Sequence, residues 1–162
     1  MTVLLCADIN HHDLQKLLGR YGITINYVAA DQPVTGSWFG ETEAGLIGGT
    51  IYIRQDTPVH SALHESCHYI CMDGKRRKQL NTNAGGDYDE ENGVCYLQII
   101  LADFIPGFGR ERAFQDMDEW GYTFRLGSSR AWFMNDADDA EAWLILHGLI
   151  DKNHKPCWVL RR

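Results

Sequence analysis

No apolar run in this chain is long enough to cross a bilayer. The longest strongly apolar stretches, Val3 to Ala7 and Ala142 to Leu146, fall far below the ~18 residues a spanning helix needs. Basic charge is also scarce: 15 lysines and arginines stand against 22 acidic residues, for a formal charge of −7. A field of that sign repels a phosphate backbone, so neither a nucleic-acid nor a membrane partner is expected. The one basic run, Lys75-Arg76-Arg77-Lys78, reads as a solvated helix end that complements the helix dipole. The five cysteines are odd in number, and the N-terminus shows no basic segment followed by an apolar leader. A reduced, cytoplasmic protein with buried thiols is the expectation. The four prolines are scattered, and there is no repeat or low-complexity linker, so residues 1–162 read as one domain.

What is present is the composition of an ordinary globule, 44% hydrophobic and 11% aromatic, in a chain long enough for one sizeable core. Leu14, Leu17 and Leu18 mark an amphipathic helix between Asp8 and Arg20, and Ile23 to Val28 alternates like a strand. A turn-rich connection follows from Asp31 to Gly40. Ala44 to Arg54, rich in glycine and ending in Thr50-Ile51-Tyr52-Ile53, predicts one or two strands. Asp56-Thr57-Pro58 predicts the start of a helix running to about Met72, and a second helix is expected from Asp87 to Phe104, stopped by Pro106-Gly107. Beyond it the pattern predicts helices at Arg110 to Glu119 and from Asp136 or Asp138 to Leu149, with extended pieces at Tyr122 to Arg125 and Ala131 to Met134. The sum is an α+β fold with a small, mostly antiparallel sheet packed on helices.

The first central helix contains His64-Glu65-Ser66-Cys67-His68, an H-E-x-x-H sequence. Histidines four apart lie one turn apart on one face, so both imidazoles can reach one metal ion. Glu65 projects about 100° round the helix from His64, which suits a general base holding a water rather than a ligand. Val59, Leu63, Ser66 and Ile70 form a core-facing stripe on the side away from Glu65. A catalytic zinc usually has three protein ligands and an open position. The acidic start of the second helix, Asp87 to Asn92, offers the third. Glu90 shares the phase of Val94, Leu97 and Leu101 and is the preferred ligand, because a carboxylate on a buried face needs a partner; Glu91, one step round, is the alternative. A thiolate from Cys67 or Cys71 fits less well, since Cys71 lies about 10.5 Å along the axis from His64. His60 is expected behind the ligands or at the rim of the cleft.

These residues resemble a small zincin metallopeptidase of the gluzincin type. The downstream piece resembles the Glu-Ala-Asn helix of the ImmA/IrrE-like peptidases, with Glu90 at the ligand position, Asn92 at the asparagine and Glu91 where that family has a small residue. The resemblance covers about Ala44 to Pro106. It implies one zinc ion per chain on His64, His68 and Glu90, peptide-bond hydrolysis with Glu65 as base, a peptide or protein substrate, and a cleft beside an edge strand at Gly48 to Ile53. Tyr69, Tyr96, Tyr122, His147 and His154 are each candidates for the group opposite the oxyanion. Asn135 to Glu141 lacks calcium-loop spacing, and Gly107-Phe108-Gly109-Arg110 is too short for a phosphate cradle. The rival reading is a zinc-bound interaction or regulatory module whose fourth position is filled by protein.

Overall fold

A computed structural model describes residues 2–37 and 42–162. Among the described residues the chain is α+β, with seven α-helices and a three-stranded sheet in the order β1, β3, β2. After a short 3-10 turn at Cys6–Asp8, helix α1 (His11–Gly19) is capped by Asn10, whose side chain accepts from the His12 N–H. Strand β1 (Thr24–Tyr27) follows. Strands β2 (Gly45–Ile47) and β3 (Thr50–Ile53) form a hairpin whose turn uses Gly48 at φ 56°, a value a side chain would resist. The expected turn-rich connection is described only as far as residue 37.

The sheet corrects the expectation of a mostly antiparallel arrangement. β3 pairs in parallel with β1, Thr24 opposite Thr50, and antiparallel with β2, Leu46 opposite Ile51. The segment expected at the edge is therefore central, with β1 at one edge and β2 at the other. The β2 edge is covered: Thr82 donates to the Leu46 carbonyl and the Leu46 N–H donates to Gly36. Two short strands on either side of one central strand do not need alternating neighbours, and alternation within a strand carries no sign of whether its partner runs parallel.

Helix α2 (Val59–Cys71) carries the histidine motif, packs on β2 and β3, and lies against α4 (Tyr88–Ala102). Its N-cap is Pro58 itself, without a side-chain cap; Thr57 instead accepts from the Arg54 N–H. The short helix α3 (Gly74–Lys78) is capped by Asp73 and α4 by Asp87, which accepts from the Glu90 N–H. Helices α5 (Gly109–Trp120), α6 (Ser129–Asn135) and α7 (Asp138–Leu146) complete the chain. The extended piece expected at Ala131 to Met134 is helical because Ser128 caps it, accepting from Ala131 N–H. Tyr122 to Arg125 is irregular rather than a strand.

The main core joins Leu14 and Leu18 of α1, Ile51 and Ile53 of β3, Leu63 and Ile70 of α2, and Leu97 and Leu101 of α4. α4 is buried on nearly every side, between α2, α5 and α7. No helix among the described residues is long and apolar enough to cross a membrane.

Candidate metal centre

The site forms where the middle of α2 meets the first turns of α4. His64 and His68, one turn apart, bring their Nε2 atoms to 3.2 Å. From α4 it is Glu91 that reaches them: one carboxylate oxygen lies 3.0 Å from His64 Nε2 and the other 3.2 Å from His68 Nε2. Bonds of about 2.0–2.1 Å at tetrahedral angles put ligand atoms about 3.3–3.4 Å apart, close to this triangle. The donor set of two imidazoles and a carboxylate thus fits a tetrahedral ion with one corner left over. Glu65 stands beside it, its carboxylate within 4.8 Å of both imidazoles.

Glu90 is placed elsewhere, which corrects the preferred third ligand. Its side chain, 2% exposed, receives Arg76 through Nη1 at 2.8 Å and Nη2 at 2.7 Å, and Arg161 Nη1 at 3.1 Å. The physical premise held, since a buried carboxylate has a countercharge, but the countercharge is a pair of guanidiniums. The basic run likewise is more than a solvated turn: Arg76 clamps Glu90, and Arg77 donates to the carbonyls of Tyr69, Met72 and Arg161.

The proton positions around His64 follow from one amide. Gln98 on α4 donates from Nε2 to the His60 carbonyl at 3.0 Å, and a carbonyl can only accept, so Gln98 Oε1 is the atom 2.9 Å from His64 Nδ1. His64 therefore donates from Nδ1 and turns Nε2 toward Glu91. A carboxylate oxygen 3.0 Å away favours positive charge at that nitrogen. Burial pulls His64 down, but Tyr122, Cys95 and Glu91 outweigh it and hold the imidazole well above its ordinary 6.5. The same setting that draws a proton there draws a metal cation. Burial opposes ionisation of Glu91, yet the hydrogen bond and charge of His64 and His68 keep it below the usual carboxylate value. Burial, reinforced by His64, pushes His68 down to about 4, and its Nδ1 is buried without a partner among the described residues.

Burial also pushes Glu65 up to about 7, with His64 opposing and Glu43 and Glu91 adding to the rise. Two clefts of about 400 and 390 Å³ meet at His64, Glu65 and Glu91. One is bounded by residues 82–86; the other is walled by Glu43, His60, Trp120 and Tyr122. α5 ends in a left-handed Gly121, φ 105°, with Tyr122 N–H returning to Met117 and Gly121 N–H to Asp118, a closure that turns Trp120 and Tyr122 toward this cleft. The Tyr122 hydroxyl meets His60 Nδ1 at 3.2 Å. Of the other candidates for the group opposite the oxyanion, Tyr69, Tyr96, His147 and His154 line neither cleft. Cys71 is fully buried, Cys67 is at 0% exposure, and neither joins the metal-sized groupings; Cys95 does, with His64 and Glu91.

Gln98 and Cys95 were missed in the sequence. Their signal was present: Glu91, Cys95 and Gln98 repeat at i, i+4 and i+7, and a glutamine within Val94 to Ala102 is a polar group that must find partners if buried. No family model, curated protein or solved structure matches the chain.

Proposed function

We propose that the protein is a zinc-dependent hydrolase acting on peptide bonds, with His64, His68 and Glu91 as metal ligands and Glu65 as general base. The observation that carries this reading is the convergence of two Nε2 atoms and one carboxylate at 3.0–3.2 Å, beside a second carboxylate in an open cleft. A zinc ion held there supplies a Lewis acid for the scissile carbonyl and lowers the pKa of water. Glu65 takes the proton of the attacking water and delivers it to the nitrogen of the leaving amine. Gln98 fixes the His64 ring by accepting its Nδ1–H, and Glu90 stays out of the chemistry, holding Arg76 and Arg161.

Elemental analysis of protein purified without added metal should give one zinc per chain, and Glu65→Gln should keep that zinc while abolishing hydrolysis of a peptide library. Absence of zinc, or undiminished turnover by the variant, overturns the proposal.

A second reading has its own observation. Cys95 Sγ lies within 4.8 Å of donor atoms of His64 and Glu91, so a thiolate could fill the fourth corner and make the centre structural. Cobalt substitution separates the two: a thiolate-to-cobalt charge-transfer band that vanishes in Cys95→Ser supports the closed site, and its absence supports the open one.

A further inference from the structure

The candidate centre lies in a chain of three depressions. The two clefts described above share His64, Glu65 and Glu91, and the one walled by Tyr122 shares Trp120 with a third of about 570 Å³. Among the described residues no lysine or arginine lines any of them. The charge is lopsided along this path. Toward residues 82–86 the wall is uncharged, whereas toward Trp120 it carries Glu43, then Asp8, Asp56 and Glu119.

Asp56 is answered by Arg54 at 2.8 Å. Among the described residues Glu43 is not answered by a cation; its partner is the Trp120 indole N–H, 3.2 Å from Oε1. Glu43 is set in place from below, because the adjoining Ala44 N–H donates to Ser61 Oγ of α2 at 3.0 Å. Trp120 is 41% exposed, so a carboxylate and an open indole stand side by side, the pairing that holds a lysine ammonium or arginine guanidinium through charge and cation–π attraction together.

An independent observation points to a peptide as the carrier of that cation. His60 is 1% exposed, lines the same cleft, and among the described residues has no partner for Nε2. Gln98 Nε2 donates toward the Tyr122 oxygen at 3.5 Å; when the phenol proton is given to His60 Nδ1, Nε2 carries the imidazole hydrogen. A buried N–H without an acceptor is the complement of a peptide carbonyl.

We propose that the side of the groove formed by Glu43, Trp120 and His60 is a specificity subsite for a lysine or arginine residue of the peptide substrate. The cationic head sits on Glu43 and the Trp120 ring, and the residue's backbone carbonyl accepts from His60 Nε2–H. This rests on the peptidase reading, and the test separates the two.

Binding is measured with zinc-loaded Glu65→Gln protein and two labelled peptides that differ only in carrying lysine or norleucine, with Glu43→Gln added in one arm and the charge-matched surface change Asp31→Asn in another. The lysine peptide should bind about tenfold tighter, the order expected of a desolvated charge pair, and that preference should vanish with Glu43→Gln and survive Asp31→Asn. Equal binding of the two peptides, or equal loss in both charge variants, overturns the subsite. In parallel, zinc-loaded wild-type protein digests a random peptide library, where lysine and arginine should be enriched on one side of the cleaved bond. Cleavage without that enrichment overturns the subsite and leaves the peptidase reading standing. Preferential binding of the lysine peptide without any cleavage keeps the subsite and overturns the peptidase reading.

Discussion

Glu65 has a proton affinity that its surroundings raise and a metal would lower. In the metal-free chain burial lifts it from 4.5 to about 7, so the folded protein keeps a proton that the unfolded chain has already released. Stability of the metal-free protein therefore falls as pH rises from 4.5 to 7, and Glu65→Gln, which cannot ionise, should raise the Tm at pH 8 while changing it little at pH 4. With a divalent cation beside it the carboxyl ionises more easily, so the acid limb of the kcat/KM profile should have its midpoint below 7, read from rates between pH 4 and 9. The neighbouring acids of α4 give a sharper contrast. Glu91→Gln should weaken zinc binding beyond the about 10–100-fold that loss of an outer partner costs, whereas Glu90→Gln should leave a full equivalent of zinc, both measured by competition with a chelator. The clustering of His64, Glu65 and His68 was legible in five consecutive residues, because their spacing is internal to one helix. The choice between Glu90 and Glu91 was not, since it depends on how α4 is rotated against α2, and the residues that follow, Gly93 to Ala102, are buried on every side and give no preferred face.

At the scale of elements, α4 is the pivot. Its apolar residues point in all directions, so periodicity in the sequence identifies a buried helix without indicating which face meets which neighbour. Gly93 marks one contact: a Cβ there would stand 2.7 and 2.9 Å from the Trp143 ring of α7. Gly93→Ala gains about 1 kcal/mol of helix propensity, against about 1–3 kcal/mol for overpacking a ring that α7 holds in place. A net loss of about 1 kcal/mol is expected in urea unfolding, and an increase in stability would show that α7 yields freely. Of the helix starts, Asp87 was readable; Asp73 and Ser128 likewise accept from the third residue beyond, but the sequence pattern reads those stretches as a helix end and an extended piece. Strand pairing was the least readable. β1 and β3 are separated by residues 28–49, and their parallel register is set by how that intervening chain returns rather than by any residue within the strands.

On the scale of the whole molecule, the buried ion cluster ties distant parts of the chain. Arg161, near the C-terminus, donates through Nη1 to the Cys71 carbonyl and to Glu90, and its backbone N–H donates to Ile70. Arg76 reaches the same carboxylate from α3. Removing one guanidinium leaves Glu90 half-answered in a setting where breaking a buried pair costs about 3–5 kcal/mol, and the remaining arginine reduces that loss. Arg76→Ala should lower unfolding free energy by about 2–3 kcal/mol and keep one zinc per chain at saturating metal, because Glu91 does not share the cluster. Loss of zinc at saturation would show that the cluster and the metal centre act as one unit. None of these long-range ties has a sequence signal, since Arg76 and Arg161 look like ordinary surface cations in a stretch of basic residues and a basic terminus.

The Arg76 side chain does one thing more. The nitrogen that grips Glu90 also donates to the Ala84 carbonyl at 2.8 Å, and Ala84 lies within the stretch that bounds one side of the cleft at His64 and His68. The height of that ceiling is set by the reach of a forked cation anchored below it. A lysine at the same place would keep the charge but has no second prong, so the ceiling would hang loose over an unchanged pair of imidazoles, and the width of the opening rather than its floor would alter.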